Sequence, residues 1–473
     1  MDTSDPGHAV VIGAGMAGLL AARILAERHL EVRVIDRDDL VSEPQGAPRR
    51  GVPQGRHIHA LLPRGRQILE ELFPGLTRQL IDAGAPAGDL LGDARLHLSG
   101  HRFARTDANL TTVSVSRPYL EACVRDRVRE LPNVTFGPPT DVLGLALTPD
   151  RERVRGVRVL RRADGSAEEV LPASLVIDAM GRGSRTPSWL REHGYGSPAE
   201  DRITSDLGYS TRHYRLPAEV LGGDWGTLQG PTPARPRGGV LARIEGDRWV
   251  VTLFGLLGDH PPTEPDGFTD FAASLTFGDI DEALRSGEPL DDPVAYRFPA
   301  STRRRYERLR HFPAGLLPIG DAVCGLNPIY GQGMTVAALQ ALALREQMRG
   351  SAPPEPRRWL REVARIVDAP WDMVVGGDLA IPQVEGPRTA KVRMLGAYVA
   401  RLHAAAAHDP RLAVAFARVM ALVDPPTVLL RPGVAGRVLR GRRATPVPGG
   451  EMPPASGHPH GRSEPDPHEE VHR

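Results

Sequence analysis

The sequence predicts an α/β fold in which a mostly parallel sheet is interrupted by an inserted antiparallel-sheet domain and followed by C-terminal helices. Three observations lead to this prediction. Residues 9–12 are an uninterrupted apolar run, followed by a glycine-rich turn and a segment with apolar residues at helical spacing. Residues 208–298 mostly alternate apolar and polar side chains, which is typical of antiparallel strands. From Arg357 onward the spacing of apolar residues is helical again.

The first turn carries the glycine pattern of a dinucleotide-binding unit. Gly13 permits a tight turn, Gly15 lets the backbone approach a pyrophosphate, and Gly18 lets the following helix pack closely on the strand. The helix start, which includes Met16 and Ala17, has free backbone N–H groups that are placed to bind phosphate. Because strand, turn and helix come in the required order, a Rossmann-like domain is expected here.

An acidic residue ends the second predicted strand, residues 32–35. Asp36 lies about 20 residues beyond the glycines, where a carboxylate accepts hydrogen bonds from an adenosine ribose. The same charge would repel a 2′-phosphate, so NADP is disfavoured at this first site. Arg37, the next residue, is assigned to the same cofactor contact.

A second glycine motif, late in the chain, extends the cofactor site. Gly320 and Asp321 end the returning strand at a place suited to bind another polar part of the cofactor. An Asn-Pro-x-x-Gly-x-Gly turn with Pro328, Gly331 and Gly333 then precedes a helix. Its N–H groups and the positive end of the helix dipole would stabilise negative charge on the N1–C2 carbonyl edge of a reduced flavin. Pro328 is expected to lie against the flavin ring, and the two motifs together predict FAD.

The length of the chain predicts two or three domains that share a large core, because 473 residues exceed one ordinary domain. Residues 444–473 are rich in Pro and Gly and poor in apolar residues, so a disordered tail is expected there. The predicted division is 1–185 for the first part of the FAD-binding domain, 186–300 for the inserted antiparallel-sheet substrate domain, 301–350 for the return to the FAD-binding domain, 351–443 for a C-terminal helical region and 444–473 for the tail.

Composition excludes several classes of partner. Lys and Arg total 59 and Asp and Glu total 58, and this balance gives no basic surplus for nucleic acid. No segment reaches the roughly 18 apolar residues of a membrane span, and the N-terminus lacks a basic, apolar leader. A cytoplasmic protein without an integral membrane segment is therefore expected. The two cysteines, Cys123 and Cys324, lack the clustered spacing of a metal site, so no metal is predicted.

These residues carry a resemblance, over nearly the whole ordered chain, to the FAD-dependent monooxygenases of the para-hydroxybenzoate hydroxylase and squalene epoxidase type. The glycine fingerprint with Asp36 resembles the ADP-binding unit of that family, Gly320 and Asp321 look like its ribose-binding motif, and residues 328–333 look like its flavin-ring loop. Arg117 stands where the family places a cofactor-contacting Arg or Gln at a helix start. Residues 51–59, 178–184 and 327–334 most resemble bacterial epoxidases that act on polyketide polyenes in polyether antibiotic pathways.

The resemblance implies a reaction with O2 as co-substrate. A flavin C4a-hydroperoxide would insert one oxygen atom into a largely apolar secondary metabolite, a polyketide polyene being one candidate, with alkene epoxidation favoured over aromatic hydroxylation. One departure concerns the middle motif of the family, an Asp directly before Gly. Here Met180 precedes Gly181, and the nearest acid is Asp178. Asp178 and Gly181 are the residues of this motif that are expected to contact the cofactor. NAD(P)H is the expected electron donor, either directly or through a separate flavin reductase.

Polar candidates near the flavin edge lie in the loop after the second strand. His57 and His59 are candidate catalytic residues, although a helix-capping role and a core-packing role explain them equally well. Arg56 is a stronger candidate for contact with the cofactor phosphates. Arg212 is a further catalytic candidate, since it could point from the inserted sheet toward the flavin, while a solvated strand face is the commoner explanation. Tyr330 and Trp371 are candidate substrate contacts, although a single aromatic residue more often lies in the core.

Three alternatives to a monooxygenase remain open from the sequence. An FAD-dependent dehydrogenase or reductase would use the same site without oxygen transfer. A flavin halogenase is less favoured because the sequence has no Trp-x-Trp-x-Ile-Pro segment. A non-enzymatic flavin redox sensor would bind FAD without substrate-dependent oxygen consumption, and the large inserted sheet argues mildly against it.

Overall fold

A five-stranded parallel sheet forms the centre of the protein, in agreement with the predicted Rossmann-like domain. The computed structural model describes residues 7–28, 30–40, 46–59, 61–350 and 354–441. The parallel strands are β1 (His8–Ile12), β2 (Glu31–Ile35), β7 (Val134–Phe136), β11 (Leu175–Asp178) and β18 (Leu316–Pro318). Their order across the sheet is β18-β11-β1-β2-β7. The apolar runs of β1 and β11 are buried because helices and loops cover the sheet.

Twelve α-helices are present in the described part of the chain. They are α1 (Met16–Ala26), α2 (Pro63–Leu72), α3 (Leu76–Asp82), α4 (Arg117–Arg129), α5 (Thr186–Glu192), α6 (Pro265–Ala273), α7 (Asp279–Arg285), α8 (Gly333–Gln347), α9 (Pro356–Asp378), α10 (Ala390–Ala406), α11 (Pro410–Met420) and α12 (Pro432–Arg440). Helix α1 packs on α4 and on α8, so the helices that follow the two glycine motifs touch one another. This packing brings the first and last thirds of the chain to one place.

A large, mainly antiparallel sheet forms the second layer. Its strands are β4 (Ala94–Leu98), β5 (His101–Arg102), β12 (Glu200–Arg215), β13 (Gly226–Gln229), β14 (Arg237–Ile244), β15 (Arg248–Gly255), β16 (Glu288–Pro289), β17 (Val294–Arg304) and β19 (Cys324–Gly325). The order is β19-β17-β12-β15-β14-β13-β4-β5, with β16 paired to β12. Strand β13 pairs parallel with β4, which comes from the first third of the chain. The sheet therefore extends beyond the predicted 186–300 insertion on both sides.

Two small sheets complete the strands. Strand β9 (Val154–Arg161) pairs antiparallel with β10 (Glu169–Pro172) in a hairpin whose connection contains Asp164 and Gly165. Strand β8 (Thr140–Leu147) extends it to three strands, and β3 (Ala87–Asp89) pairs with β6 (Thr111–Val113). These elements confirm the α/β fold class with an antiparallel sheet and C-terminal helices.

The C-terminal helices begin with the long helix α9, which joins the two layers. The indole Nε1 of Trp359 donates to the Pro318 carbonyl of β18 at 3.1 Å, and Asp368 pairs with Arg303 of β17 at 2.6 Å. Helix α9 thus contacts both the parallel and the antiparallel sheet. The predicted disordered tail at 444–473 lies outside the described residues. Within those residues, no helix combines the length and the apolar character needed to cross a membrane.

Candidate functional site

The first glycine turn has two glycines in close contact with neighbouring backbone and one that faces open space. Gly13 has φ +99°, and a Cβ there would lie 2.6 Å from the Ala179 carbonyl oxygen. A Cβ on Gly18 would lie 1.9 Å from the Gly13 carbonyl oxygen, so α1 packs too closely on the turn for any side chain. A Cβ on Gly15, in contrast, would meet nothing within 4 Å. Gly15 therefore leaves room for a ligand at the N-terminus of α1, and the other two glycines serve the turn itself.

The other predicted motifs converge on the same edge of the parallel sheet, at the carboxyl ends of β1, β11 and β18. A Cβ on Gly320, which has φ +64°, would lie 2.8 Å from the Ala17 Cβ. A Cβ on Gly181 would lie 4.0 Å from the Asp321 Cβ, and one on Gly333 would lie 4.0 Å from Asp321 Oδ1. The three glycine-rich turns thus surround the start of α1. Ligands of open α/β sheets bind at such carboxyl-end edges.

Asp36 joins the second strand to the glycine turn. Its Oδ2 accepts a hydrogen bond from the Ala14 N–H at 2.7 Å. The same oxygen lies 3.2 Å from Nη2 of Arg49, whose Nη1 donates to the Ala14 carbonyl at 3.1 Å. Arg49 is buried and also lies 3.2 Å from Glu121. The sequence did not single out Arg49, because it stands in a Pro- and Gly-rich loop without a motif of its own.

A small basic pocket opens beside this loop. Its lining residues are Ala47, Arg49, Val52, Gly55, Arg117, Pro118, Glu121 and Arg125. Arg117 is buried at the start of α4 and pairs with Glu121 at 2.8 Å. The buried Nε of Arg125 has no hydrogen-bond partner among the described residues. Burial and, to a smaller extent, the charge of Arg49 lower the pKa of Arg125, and the nearby carboxylates oppose this shift. An anionic ligand would relieve this crowding of positive charge.

These features fit FAD. The open space at Gly15 and the N-terminus of α1 suit a pyrophosphate, the arginine pocket suits negative charge, and the three turns offer backbone N–H groups. Asp321 lies at their centre, where burial raises its pKa and the charges of Arg182, Arg117 and Arg304 oppose that rise. The side chains of the predicted contacts Arg37 and Arg56 are exposed to solvent, and Met16 is buried.

Asp178 has a different placement from the other predicted cofactor residues. Its side chain is fully buried and accepts hydrogen bonds from the Met180 N–H and the Ser184 hydroxyl. Burial raises its pKa, and the bonds from its own turn oppose the rise. The carboxylate therefore stabilises the turn that contains Met180 and Gly181, and it does not face a ligand. This local bonding supplies a structural reason for an acid two residues before Met180.

The predicted flavin-ring loop is held by a buried carboxylate at the end of α9. Asp378 Oδ1 accepts from Asn327 Nδ2 at 2.9 Å and from the Tyr330 hydroxyl at 3.0 Å. Burial raises the pKa of Asp378 to about 7, with both hydrogen bonds opposing the rise. Gly331 completes the loop at φ +66°, and its N–H donates to the Pro328 carbonyl. Tyr330 thus serves at least as an anchor of this loop.

His57 lies where the loop after β2 meets the large sheet. Its Nδ1 is 2.7 Å from the Thr211 hydroxyl on β12. Its ring lies beside Tyr209 and Tyr296, with centroids 5.7 and 5.3 Å away. Burial chiefly, with the charge of Arg56, lowers the pKa of His57 to about 4. The imidazole is therefore neutral at physiological pH and stands within an aromatic cluster.

The remaining candidates are not brought to this cluster. Nδ1 of His59 lies 3.0 Å from the His57 carbonyl, and burial lowers the pKa of His59 to about 3. Arg212 points to the opposite face of β12 from Thr211, and its Nε donates to the Asp291 carbonyl. Trp371 is buried in the main hydrophobic core. In the described ranges, no group of three His, Cys, Asp or Glu side chains is arranged to hold a metal ion.

Comparison with known proteins identifies related chains. The NAD(P)-binding Rossmann-like domain family matches residues 11–58. Protein Rv3254 of Mycobacterium tuberculosis (strain ATCC 25618 / H37Rv) is 35% identical over 460 residues, which cover 91% of this chain and 93% of that protein. Kynurenine 3-monooxygenase of Xanthomonas euvesicatoria pv. vesicatoria is 26% identical over 357 residues, covering 74% and 73% of the two chains. A flavoprotein/dehydrogenase structure from Cytophaga hutchinsonii aligns with a TM-score of 0.65 at 16% identity, over 91% of this chain and 96% of that one.

Proposed function

Because the chain belongs to the same family as protein Rv3254 and has a flavoprotein fold, we propose that it is an FAD-dependent monooxygenase. Its substrate is a largely apolar secondary metabolite, a polyketide polyene being one candidate, and the favoured reaction is alkene epoxidation. The observation that carries the proposal is the convergence of Gly15, Gly181, Asp321 and Gly333 around the N-terminus of α1. The similarity to kynurenine 3-monooxygenase supports oxygen insertion as the class of reaction.

Residues of the chain would hold FAD along this edge. The N-terminus of α1 and Gly15 take the pyrophosphate, Asp36 takes the ribose of the adenosine, and Asp321 takes another polar part of the cofactor. The loop with Pro328 and the N-terminus of α8 then lie at the flavin ring. Bound and reduced FAD would supply the two electrons that activate O2, of which one oxygen atom would enter the substrate and the other would leave as water. The positive end of α8 stabilises the negative charge of the reduced ring.

The side chains around His57 favour an apolar substrate. His57 and His59 stay neutral at physiological pH, so neither places a positive charge against the substrate. The rings of Tyr209 and Tyr296 lie beside His57, and Phe254 packs on Tyr209, so aromatic rings surround the neutral imidazole. Oxygen transfer to an alkene removes no proton and needs no base. Aromatic hydroxylation of a phenol gains from a base. His57 and His59, with pKa values of about 4 and about 3, are weak bases.

The test starts from the purified protein. We expect a visible flavin spectrum, and we expect the reduced protein to convert a candidate polyene under 18O2 into a product heavier by one labelled oxygen atom. Free FAD with the same reductant is the control. Catalase is added to remove free hydrogen peroxide, so that peroxide does not oxidise the substrate. Product that carries oxygen from water, or product formed equally by free FAD, would contradict oxygen insertion by this protein.

Two further outcomes separate the remaining alternatives. Substrate turnover without O2, when an artificial electron acceptor is supplied, would establish a dehydrogenase, in line with the name of the Cytophaga hutchinsonii structure. FAD binding with no substrate-dependent oxygen consumption would favour a redox sensor. Anaerobic mixing with NADH or NADPH then identifies the electron donor. Rapid bleaching of the flavin indicates direct reduction, and its absence indicates a separate flavin reductase.

A further inference from the structure

The predicted flavin-ring loop is hydrogen-bonded to a buried carboxylate of the C-terminal helical region. This carboxylate is not part of the glycine motifs that predicted the loop. Asp378, the last residue of α9, has no exposed surface. Its Oδ1 accepts two hydrogen bonds, from Asn327 Nδ2 and from the Tyr330 hydroxyl. Its Oδ2 is buried and has no hydrogen-bond partner among the described residues. A carboxylate in this state is costly to bury, so a role beyond packing is worth testing.

The two donors to Asp378 lie at the two ends of the loop. Asn327 begins the loop as a cap, since its Oδ1 accepts from the Ile329 N–H at 3.2 Å. Its own N–H donates to the Ser301 hydroxyl on β17 at 3.0 Å. Tyr330 is the last residue of the short 3-10 helix that begins at Pro328. One carboxylate oxygen therefore fixes both ends of the segment that carries Pro328.

The backbone of α9 is shaped to admit the tyrosine. A Cβ on Gly377 would lie 2.2 Å from the Tyr330 hydroxyl oxygen and 2.8 Å from its ring. A Cβ on the neighbouring Gly376 would meet nothing within 4 Å. The absence of a side chain at 377 thus lets the Tyr330 hydroxyl reach the carboxylate.

We propose that Asp378 is a positioning residue, which holds residues 327–331 through Asn327 and Tyr330 and thereby sets the affinity and the reduction potential of the bound flavin. The inference rests on the proposed FAD site. It assigns a role to the C-terminal helical region, because Asp378 places a negative charge behind this loop. The loop itself would face the negative charge of the reduced flavin ring. The charge of Asp378 also reaches Tyr209 of the aromatic cluster, because it raises the pKa of that phenol in addition to the larger effect of burial.

Three variants separate the parts of this proposal. Asp378→Asn keeps the shape and an acceptor oxygen but removes the charge. Tyr330→Phe removes one of the two hydrogen bonds with little change of volume. Asp372→Asn makes the same charge change on the same helix at an exposed position and is the matched control. Thermal unfolding of each variant without FAD shows whether it folds like the wild type.

Two readouts are measured at pH 8, where the Asp378 carboxylate is mostly ionised: the FAD dissociation constant by flavin fluorescence, and the midpoint potential of bound FAD by spectroelectrochemistry. Tyr330→Phe is expected to weaken FAD binding about tenfold, the usual size of one lost hydrogen bond to a charged group. Asp378→Asn is expected to favour reduced over oxidised FAD by up to about tenfold, a positive shift of about 30 mV for two electrons. Asp372→Asn should change neither quantity.

The outcomes distinguish the two proposals. If the wild type binds FAD and folded Asp378→Asn and Tyr330→Phe behave like Asp372→Asn in both readouts, Asp378 is only a packing residue and the positioning role is overturned. The FAD-dependent function would survive that result. If the wild type itself binds no FAD, the proposed function and this inference fall together. A changed midpoint potential in Asp378→Asn, together with unchanged thermal unfolding, would support the positioning role. Structural support alone would not produce that combination.

Discussion

Substitution of Gly15 by Ala tests whether this glycine exists for the ligand or for the fold. A Cβ at position 15 meets no protein atom within 4 Å. The residue is the N-cap of α1 with φ −74° and ψ 178°, a conformation that alanine adopts without strain. Gly18→Ala is the matched comparison, because its Cβ would lie 1.9 Å from the Gly13 carbonyl oxygen. The two variants add the same methyl group three residues apart.

The structure sets different magnitudes for the two variants. For Gly15→Ala, the lower entropy of the unfolded chain contributes about 0.4–1 kcal/mol of stability. The poorer N-cap costs a similar amount, so the net change in free energy of unfolding should stay within about 1 kcal/mol. For Gly18→Ala, the clash with backbone forces α1 away from β1, and overpacking of this kind costs about 1–3 kcal/mol or more. The order for FAD binding is different, since Gly15→Ala places its methyl group at the proposed position of the pyrophosphate.

Urea unfolding of the FAD-free proteins measures the first effect, and titration with FAD measures the second. We expect Gly15→Ala to unfold with wild-type stability and to bind FAD at least about tenfold more weakly, which corresponds to about 1.4 kcal/mol. Gly18→Ala should lose stability before any cofactor is added. Wild-type FAD affinity in Gly15→Ala would refute the assignment of this edge to the pyrophosphate. A loss of stability equal to that of Gly18→Ala would refute the claim that position 15 faces open space.

Three further predictions concern buried charge and close packing. The pKa of Asp378 is raised from 3.8 to about 7, so the wild type loses stability as the pH rises through this window. Asp378→Asn should therefore gain about 3 kcal/mol relative to the wild type between pH 5 and pH 8 in urea unfolding, and parallel pH profiles would contradict the raised pKa. Gly377→Ala should destabilise by about 1–3 kcal/mol because its methyl group meets Tyr330. Gly376→Ala should be neutral or stabilising by up to about 1 kcal/mol, and equal losses in the two would contradict the geometry. Arg49→Met should cost about 3–5 kcal/mol because it removes the cation paired with the buried carboxylates of Asp36 and Asp38, and a loss below about 1 kcal/mol would show that they do not depend on it.

Local sequence patterns predicted the elements that hold the site. The apolar run before Gly13 is β1, the predicted strand at residues 32–35 is β2, and the helix predicted after the Asn-Pro turn starts at Gly333 as α8. Each of these depends on neighbours in the chain, because a buried strand needs a continuous apolar run and a glycine turn needs a positive φ or a close approach. The Rossmann-like fold class and its antiparallel sheet are confirmed for the same reason.

Contacts between distant segments could not be predicted in this way. Strand β4 joins the large sheet through parallel pairing with β13, and no local pattern announces a partner 132 residues away, as the Ala94–Gly226 pairing shows. Arg49 carries no pattern, and its importance comes from the carboxylates that packing places around it. Arg212 belongs to an alternating strand, and alternation alone does not say which face meets the loop at His57.

The predicted flavin-ring loop is held by contacts from distant segments of the chain. Asn327 is held by Ser301 of the large sheet and by Asp378 of α9, while the helix that follows the loop packs on α1 beside the parallel sheet. The loop is therefore supported by all three parts of the chain. A shift of the large sheet, the predicted substrate domain, would reach the loop through Ser301 without any movement of the glycine fingerprint. Because the two supports meet at one residue, through the backbone N–H and the side chain of Asn327, loss of the Ser301 hydrogen bond and loss of the Asp378 carboxylate should not have additive effects on the flavin potential.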